Sequence, residues 1–209
     1  MASVVSICNL ALSNVGKKNI TDLTEKSAEA RACNQFYAHT RDILLQSYPW
    51  TAAKKTLALA EIDNAKAGAW RFAYTRPSDC LQVRWIRPRY ANDGVNLDAC
   101  GPDLDPIGQE LKYPYELEGD TLFCNLSPAL LRYTYRLVDP TKFSPLFVEA
   151  LAWHLAVRLA MPLTKDPKIR ADALTVAKST QASAEAADGN QERHSSDIQT
   201  DFISVRSHG

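Results

Sequence analysis

The sequence predicts an α+β fold: a bundle of about four helices from residues 1–50 and 140–189, a small antiparallel β domain (sheet or barrel) inserted at residues 51–139, and an extended C-terminal tail at 190–209. Three observations predict it. Apolar residues recur at helical three- and four-residue spacing at both ends of the chain. Between Trp50 and Asp139 that spacing gives way to short runs of β-formers punctuated by Gly, Pro, Asn and Asp. Neither helical pair carries a convincing core alone, so the two pairs come together with the β segment between them.

Residues Ser3 to Val15 place Val4, Ile7, Cys8, Ala11 and Val15 on one helix face, with Ser3 as N-cap and Gly16 as the stop. After a loop, Thr24 is placed to cap a second helix running to Ser47, with Ala28, Ala32, Phe36, Ile43 and Leu44 on one side. Pro49 ends it, because proline lacks an amide hydrogen and drives Tyr48 into an extended conformation.

Strands are expected at Leu57 to Ile62, Trp70 to Thr75, Leu81 to Ile86, Tyr113 to Leu117, Thr121 to Leu126 and Leu130 to Leu137. Trp70, Phe72 and Tyr74 alternate onto one face, and Leu131 to Leu137 also has a period of two. Glu118-Gly119-Asp120 reads as a tight hairpin turn in which glycine supplies the positive φ. Ala91 to Pro106 has the composition of a projecting loop.

Helix resumes at Ser144-Pro145, an N-cap followed by proline at the first helical position, and its apolar run to Met161 marks it as central. Asp166-Pro167 repeats that start for an alanine-rich last helix through Ile169, Ala173, Val176, Ala177 and Thr180, ending at Asp188-Gly189-Asn190.

Composition narrows function. The 209 residues are 45% hydrophobic, which excludes a disordered or collagen-like chain. The 24 Lys+Arg balance 24 Asp+Glu, so no bulk basic field holds phosphates and any nucleic-acid role must be local or passive. No run of about 18 apolar residues predicts a membrane span. The opening residues lack the charged region of a signal peptide, and synthesis in a cytoplasm is expected.

The five cysteines form no C-x-x-C pair, and no histidine stands at zinc-ligand spacing, so neither a disulfide framework nor a metal or other cofactor is expected. Cys8 and Cys33 read as core packing. His39 and His154 read as core or interface histidines, and His194 and His208 as solvated tail residues. Asn92 to Asp98 lacks the ligand spacing of a calcium loop.

Glu116, Glu118 and Asp120 form the one carboxylate cluster of interest for acid and base catalysis, as in a virion-associated cell-wall hydrolase, although placement at a turn favours solvation. Arg84, Arg87 and Arg89, interleaved with Trp85 and Tyr90, precede an acidic stretch that includes Asp98, Asp103 and Asp105. Complementary patches of this kind suit contact between identical subunits. Arginines among aromatics also suit single-stranded nucleic acid, the alternative of a nucleic-acid-binding regulatory protein.

Ordered residues across the chain resemble a known family. Asn9-Leu10-Ala11-Leu12, Gly16, Ile20, Leu23, Glu25, Ser27, Glu29-Ala30, Cys33, Tyr37, Arg41-Asp42, Leu44-Leu45, Pro49-Trp50 and Leu57-Ala58-Leu59-Ala60 form the first set. Trp70, Ala73-Tyr74, Pro77, Asp79-Cys80-Leu81 and Val83 form the second, and Glu149-Ala150-Leu151-Ala152 opens the closing pair of helices. Together they resemble the head-to-tail adaptors of short-tailed phages, of the tail tubular protein A type. Ala52-Ala53 departs from the aromatic expected shortly after Pro49-Trp50.

The resemblance implies a structural virion protein rather than an enzyme, located at the head-tail junction. It implies a homo-oligomeric ring of about twelve copies between the portal protein and the tail nozzle protein, through which double-stranded DNA passes without sequence-specific binding. On that reading Arg84, Arg87, Arg89, Asp98, Asp103 and Asp105 are candidates for subunit or nozzle contact. The tail alternates around Ile198, Phe202, Ile203 and Val205, followed by Arg206, and these residues are candidates for portal docking by folding on binding.

Overall fold

The computed structural model describes residues 2–89 and 113–191. Among these residues four helices and two antiparallel sheets make an α+β fold, with every described strand lying between the second and third helices.

Helix α1 (Val4–Asn14) begins where expected. Ser3 N donates to Ser6 Oγ at 2.8 Å and Ser6 N donates to Ser3 Oγ at 3.0 Å, a reciprocal cap that satisfies two free amides. It ends as Gly16 adopts φ 67° and Lys17 N returns to Leu12 O at 2.9 Å. Helix α2 (Ala28–Ser47) starts later than expected, capped by Ser27 and not by Thr24. The preceding residues are committed to a turn: Glu25 Oε1 accepts from Thr21 N, Thr21 Oγ1 and Asp22 N, while Asp22 Oδ1 accepts from Thr24 N.

Helix α3 (Pro145–Thr164) is capped by Ser144, whose Oγ accepts from Phe147 N, with Pro145 in the first turn. It continues one turn past the expected end, through Pro162, to a left-handed Lys165. Its length and mean hydropathy of 1.4 suffice to cross a membrane by those two measures alone, contrary to the expectation that no segment does. Here one face meets α1 and α2 and another meets α4. Helix α4 (Pro167–Gly189), capped by Asp166, buries Ala173, Ala177 and Ala184, small side chains that let it lie close along α3.

Strands β1 (Lys54–Ala58), β7 (Ala129–Tyr135) and β4 (Cys80–Pro88) form one sheet in the order β1-β7-β4. Strands β2 (Glu61–Ile62), β3 (Phe72–Thr75), β6 (Thr121–Cys124) and β5 (Tyr115–Glu118) form the other, in the order β2-β3-β6-β5. The expected single strand from Leu57 to Ile62 is therefore two. The chain leaves β7 after Leu59 N donates to Ala129 O and pairs with β3 from Glu61 onward. Trp70 precedes β3 instead of lying in it, because Asn64 Nδ2 ties its carbonyl into a turn at 2.6 Å. The β5–β6 hairpin has the expected turn, with Glu118 opposite Thr121 and Gly119 at φ 56°.

Two cores result. The helical core unites α1, α2 and α3 with Ala184 of α4 and includes Trp50 and Phe143 from the connections to the β segment. The second core draws Tyr74, Ile86, Leu122 and Leu131 from both sheets. Cys8 and Cys33 are buried in the helical core as expected, and the hydrogen bond with the neighbouring Cys33 thiol, together with burial, pushes the Cys8 thiol far up.

Candidate functional site

The β4 arginines occupy different settings. Arg84 joins the β segment to the bundle: Nε donates to Thr134 Oγ1 at 2.8 Å and Nη2 donates to the Gln46 carbonyl of α2 at 3.0 Å. Burial lowers its pKa, as desolvation opposes a charge. The same seam holds Gln46 against Gln82 at 3.1 Å, and Asp42 accepts from Arg41 at 2.7 Å and from Arg136 at 3.0 Å. Arg84 is thus part of a seam between the β segment and the bundle.

Arg87 and Arg132 both lie over the Trp85 ring, at 4.7 and 5.7 Å from its centroid. The pairing of β4 with β7 brings this group together by placing Trp85 opposite Arg132. Arg89 is exposed where β4 ends, its amide bonded to Pro128 O at 3.0 Å. Arg132 lies outside the basic stretch read from the sequence. A cross-strand partner of β4 is the only signal that would have found it. Asp98, Asp103 and Asp105, the loop Ala91 to Pro106, and the tail residues Ile198, Phe202, Ile203, Val205 and Arg206 lie outside the described residues.

Two of the three carboxylates of the cluster, Glu116 and Glu118, are bound to a lysine, while the Asp120 carbonyl accepts from Arg76 N at 2.8 Å. Lys66 Nζ meets Glu116 Oε1 at 2.6 Å and Glu118 Oε2 at 2.7 Å, and Trp70 Nε1 donates to Glu116 Oε2 at 2.7 Å. Lys66 and Trp70 stabilise the charged carboxylate and lower the Glu116 pKa, whereas a glycosidase acid needs its pKa raised. Lys66 is held above the usual lysine value by the same two glutamates. Trp70 therefore orients Glu116.

His39 is exposed on α2, so of the core or interface reading the core half fails for it; a position within a helix does not by itself fix which face a residue occupies. His154 is half-buried in the α3–α4 seam, 2.8 Å from Gln181 Oε1, and burial lowers its pKa. Among the described residues, no group of three His, Cys, Asp or Glu side chains is disposed to hold a metal.

No protein-family model matches the chain, and no curated protein matches it. The geometry is that of residues that join elements and present charge at a strand end.

Proposed function

We propose that the chain is a structural adaptor of the phage head-to-tail type, assembling as a ring of about twelve copies between a portal and a tail nozzle. The observation that supports this most is the organisation of the molecule. Helices from both ends of the chain share one core, and the β segment emerges between α2 and α3 as a second packed unit. That is the layout implied by the ordered residues that resemble the adaptor family.

A ring of identical subunits needs two different, complementary surfaces on each copy. The bundle and the β segment offer such surfaces, and the seam of Arg84, Gln46, Asp42 and Arg136 couples them. On this reading Arg84, Arg87 and Arg89, with Asp98, Asp103 and Asp105, contact a neighbour or the nozzle. Ile198, Phe202, Ile203, Val205 and Arg206 dock on the portal. Balanced charge suits a channel from which DNA must leave without being held.

The deciding experiment is mass photometry of the full chain alone and mixed with a portal ring from the same virion. Addition of about a dozen copies per portal is the expected result. Absence of binding at any salt concentration overturns the proposal.

A further inference from the structure

A cavity of ≈ 250 Å³ lies where the bundle meets the β segment, walled by Leu45, Trp50, Leu137, Phe143 and Phe147. Ring packing fixes its aromatic side: Trp50 and Phe147 meet edge to face at 4.9 Å between ring centres, and Phe143 and Phe147 lie tilted at 4.8 Å. The Trp50 indole is locked by donating to Leu44 O at 2.7 Å. One carboxylate enters this apolar setting. Asp188 is 8% exposed, and Thr51 N and Thr51 Oγ1 donate to its Oδ2 at 2.8 and 3.0 Å.

Those bonds hold Thr51 at the start of the short 3₁₀ turn Thr51–Ala53, a task that asparagine would perform equally well. Two features mark the position of this carboxylate. It is largely removed from water, and it sits at the C-terminal end of α4, where the helix already presents negative carbonyl ends. Among the described residues no cation pairs with it; Lys142 lines the same cavity but is exposed and makes no ion pair with it. Both bonds from Thr51 end on Oδ2, which leaves Oδ1 to accept from a guest.

We propose that this cavity receives an arginine side chain of a partner protein, its aliphatic stem against Leu45 and Leu137 and its guanidinium between the aromatic wall and Asp188. Guanidinium fits better than ammonium because it is planar, weakly hydrated, and able both to stack on rings and to donate to a carboxylate. The volume accommodates one such side chain, not a large ligand. The inference does not depend on the ring proposal, since any partner that presents an arginine satisfies it.

The test is an NMR titration of the full, isotope-labelled chain with butylguanidinium, an arginine side-chain analogue, against its neutral isostere butylurea. The Trp50 indole N–H is the reporter. A saturable shift is expected with a dissociation constant of about 1–10 mM, and butylurea should bind about tenfold more weakly. Asp188→Asn keeps the acceptor for Thr51 and should lower affinity for butylguanidinium about tenfold. Lys142→Ala, which removes an exposed like charge, should raise it about twofold. Equal binding of butylurea, an unchanged affinity in Asp188→Asn, or no saturable shift overturns the proposal. The exposed Lys142 variant keeps the test decisive even if Asp188→Asn fails to fold, because weaker binding in Lys142→Ala counts against it.

Discussion

Asn9 holds both backbone polar groups of Ile20. Its Oδ1 accepts from Ile20 N at 2.8 Å and its Nδ2 donates to Ile20 O at 2.9 Å, so one side chain on α1 acts as a strand-like partner for the α1–α2 loop. Ile20 is thereby seated in the helical core with its amide and carbonyl satisfied.

Asn9→Leu should therefore cost about 1–3 kcal/mol, since it removes two hydrogen bonds and leaves partly buried backbone groups without partners. Chemical denaturation of wild type and variant checks this. A loss within about 0.5 kcal/mol of zero would show that water replaces Asn9 freely.

Arg84→Ala should destabilise by about 1–3 kcal/mol. It frees the Gln46 carbonyl and leaves the buried Thr134 hydroxyl without the guanidinium. Arg84→Lys should recover only part of the loss, because one ammonium cannot reproduce two bonds in fixed directions. Hydrogen exchange should report the effect at β4 and the end of α2, and a change confined to global unfolding would contradict a coupling of the two through Arg84.

His154 gives the fold a pH dependence of known sign. Burial holds its folded pKa below the unfolded value, so the unfolded chain binds the proton more readily. Its contribution to stability is complete above about pH 6.5 and declines as pH falls through the folded pKa. Thermal unfolding of wild type should drop between about pH 7.5 and pH 5.5, while His154→Gln should flatten that slope. Identical slopes in the two proteins would remove His154 from the account.

Lys66→Met should raise the pKa of Glu116, because the strongest donor to the carboxylate is lost while Trp70 remains. Carboxyl-carbon NMR titration measures this directly. The ion pairs are partly exposed, so little change in thermal stability should accompany the shift.

Where the sequence carries a local device, the fold is legible in it. Ser3, Ser144-Pro145 and Asp166-Pro167 start helices as their chemistry predicts, and Gly119 turns the hairpin. What fails is choice among neighbours of equal merit. Thr24 and Ser27 are both good caps, and only the side-chain bonds of Glu25 and Asp22 exclude the first. The split between β1 and β2 is set by two different partner strands, information that no single run contains.

The sites are less legible than the fold. Arg84 reads as surface charge because its partners stand 38 and 50 positions away in sequence. Asp188 reads as a helix stop, although an acid at that end of a helix, where a base is favoured, is a signal in its own right.

The insertion of the β segment has a consequence for the newborn chain. Helices α1 and α2 touch each other little and bury their apolar faces mainly on α3, which begins some 100 residues after the end of α2. During synthesis these two helices must wait, apolar faces uncovered, until the whole β segment and α3 have left the ribosome. A chain interrupted before Pro145 would present that unburied surface permanently, and chaperone capture or aggregation would be its fate.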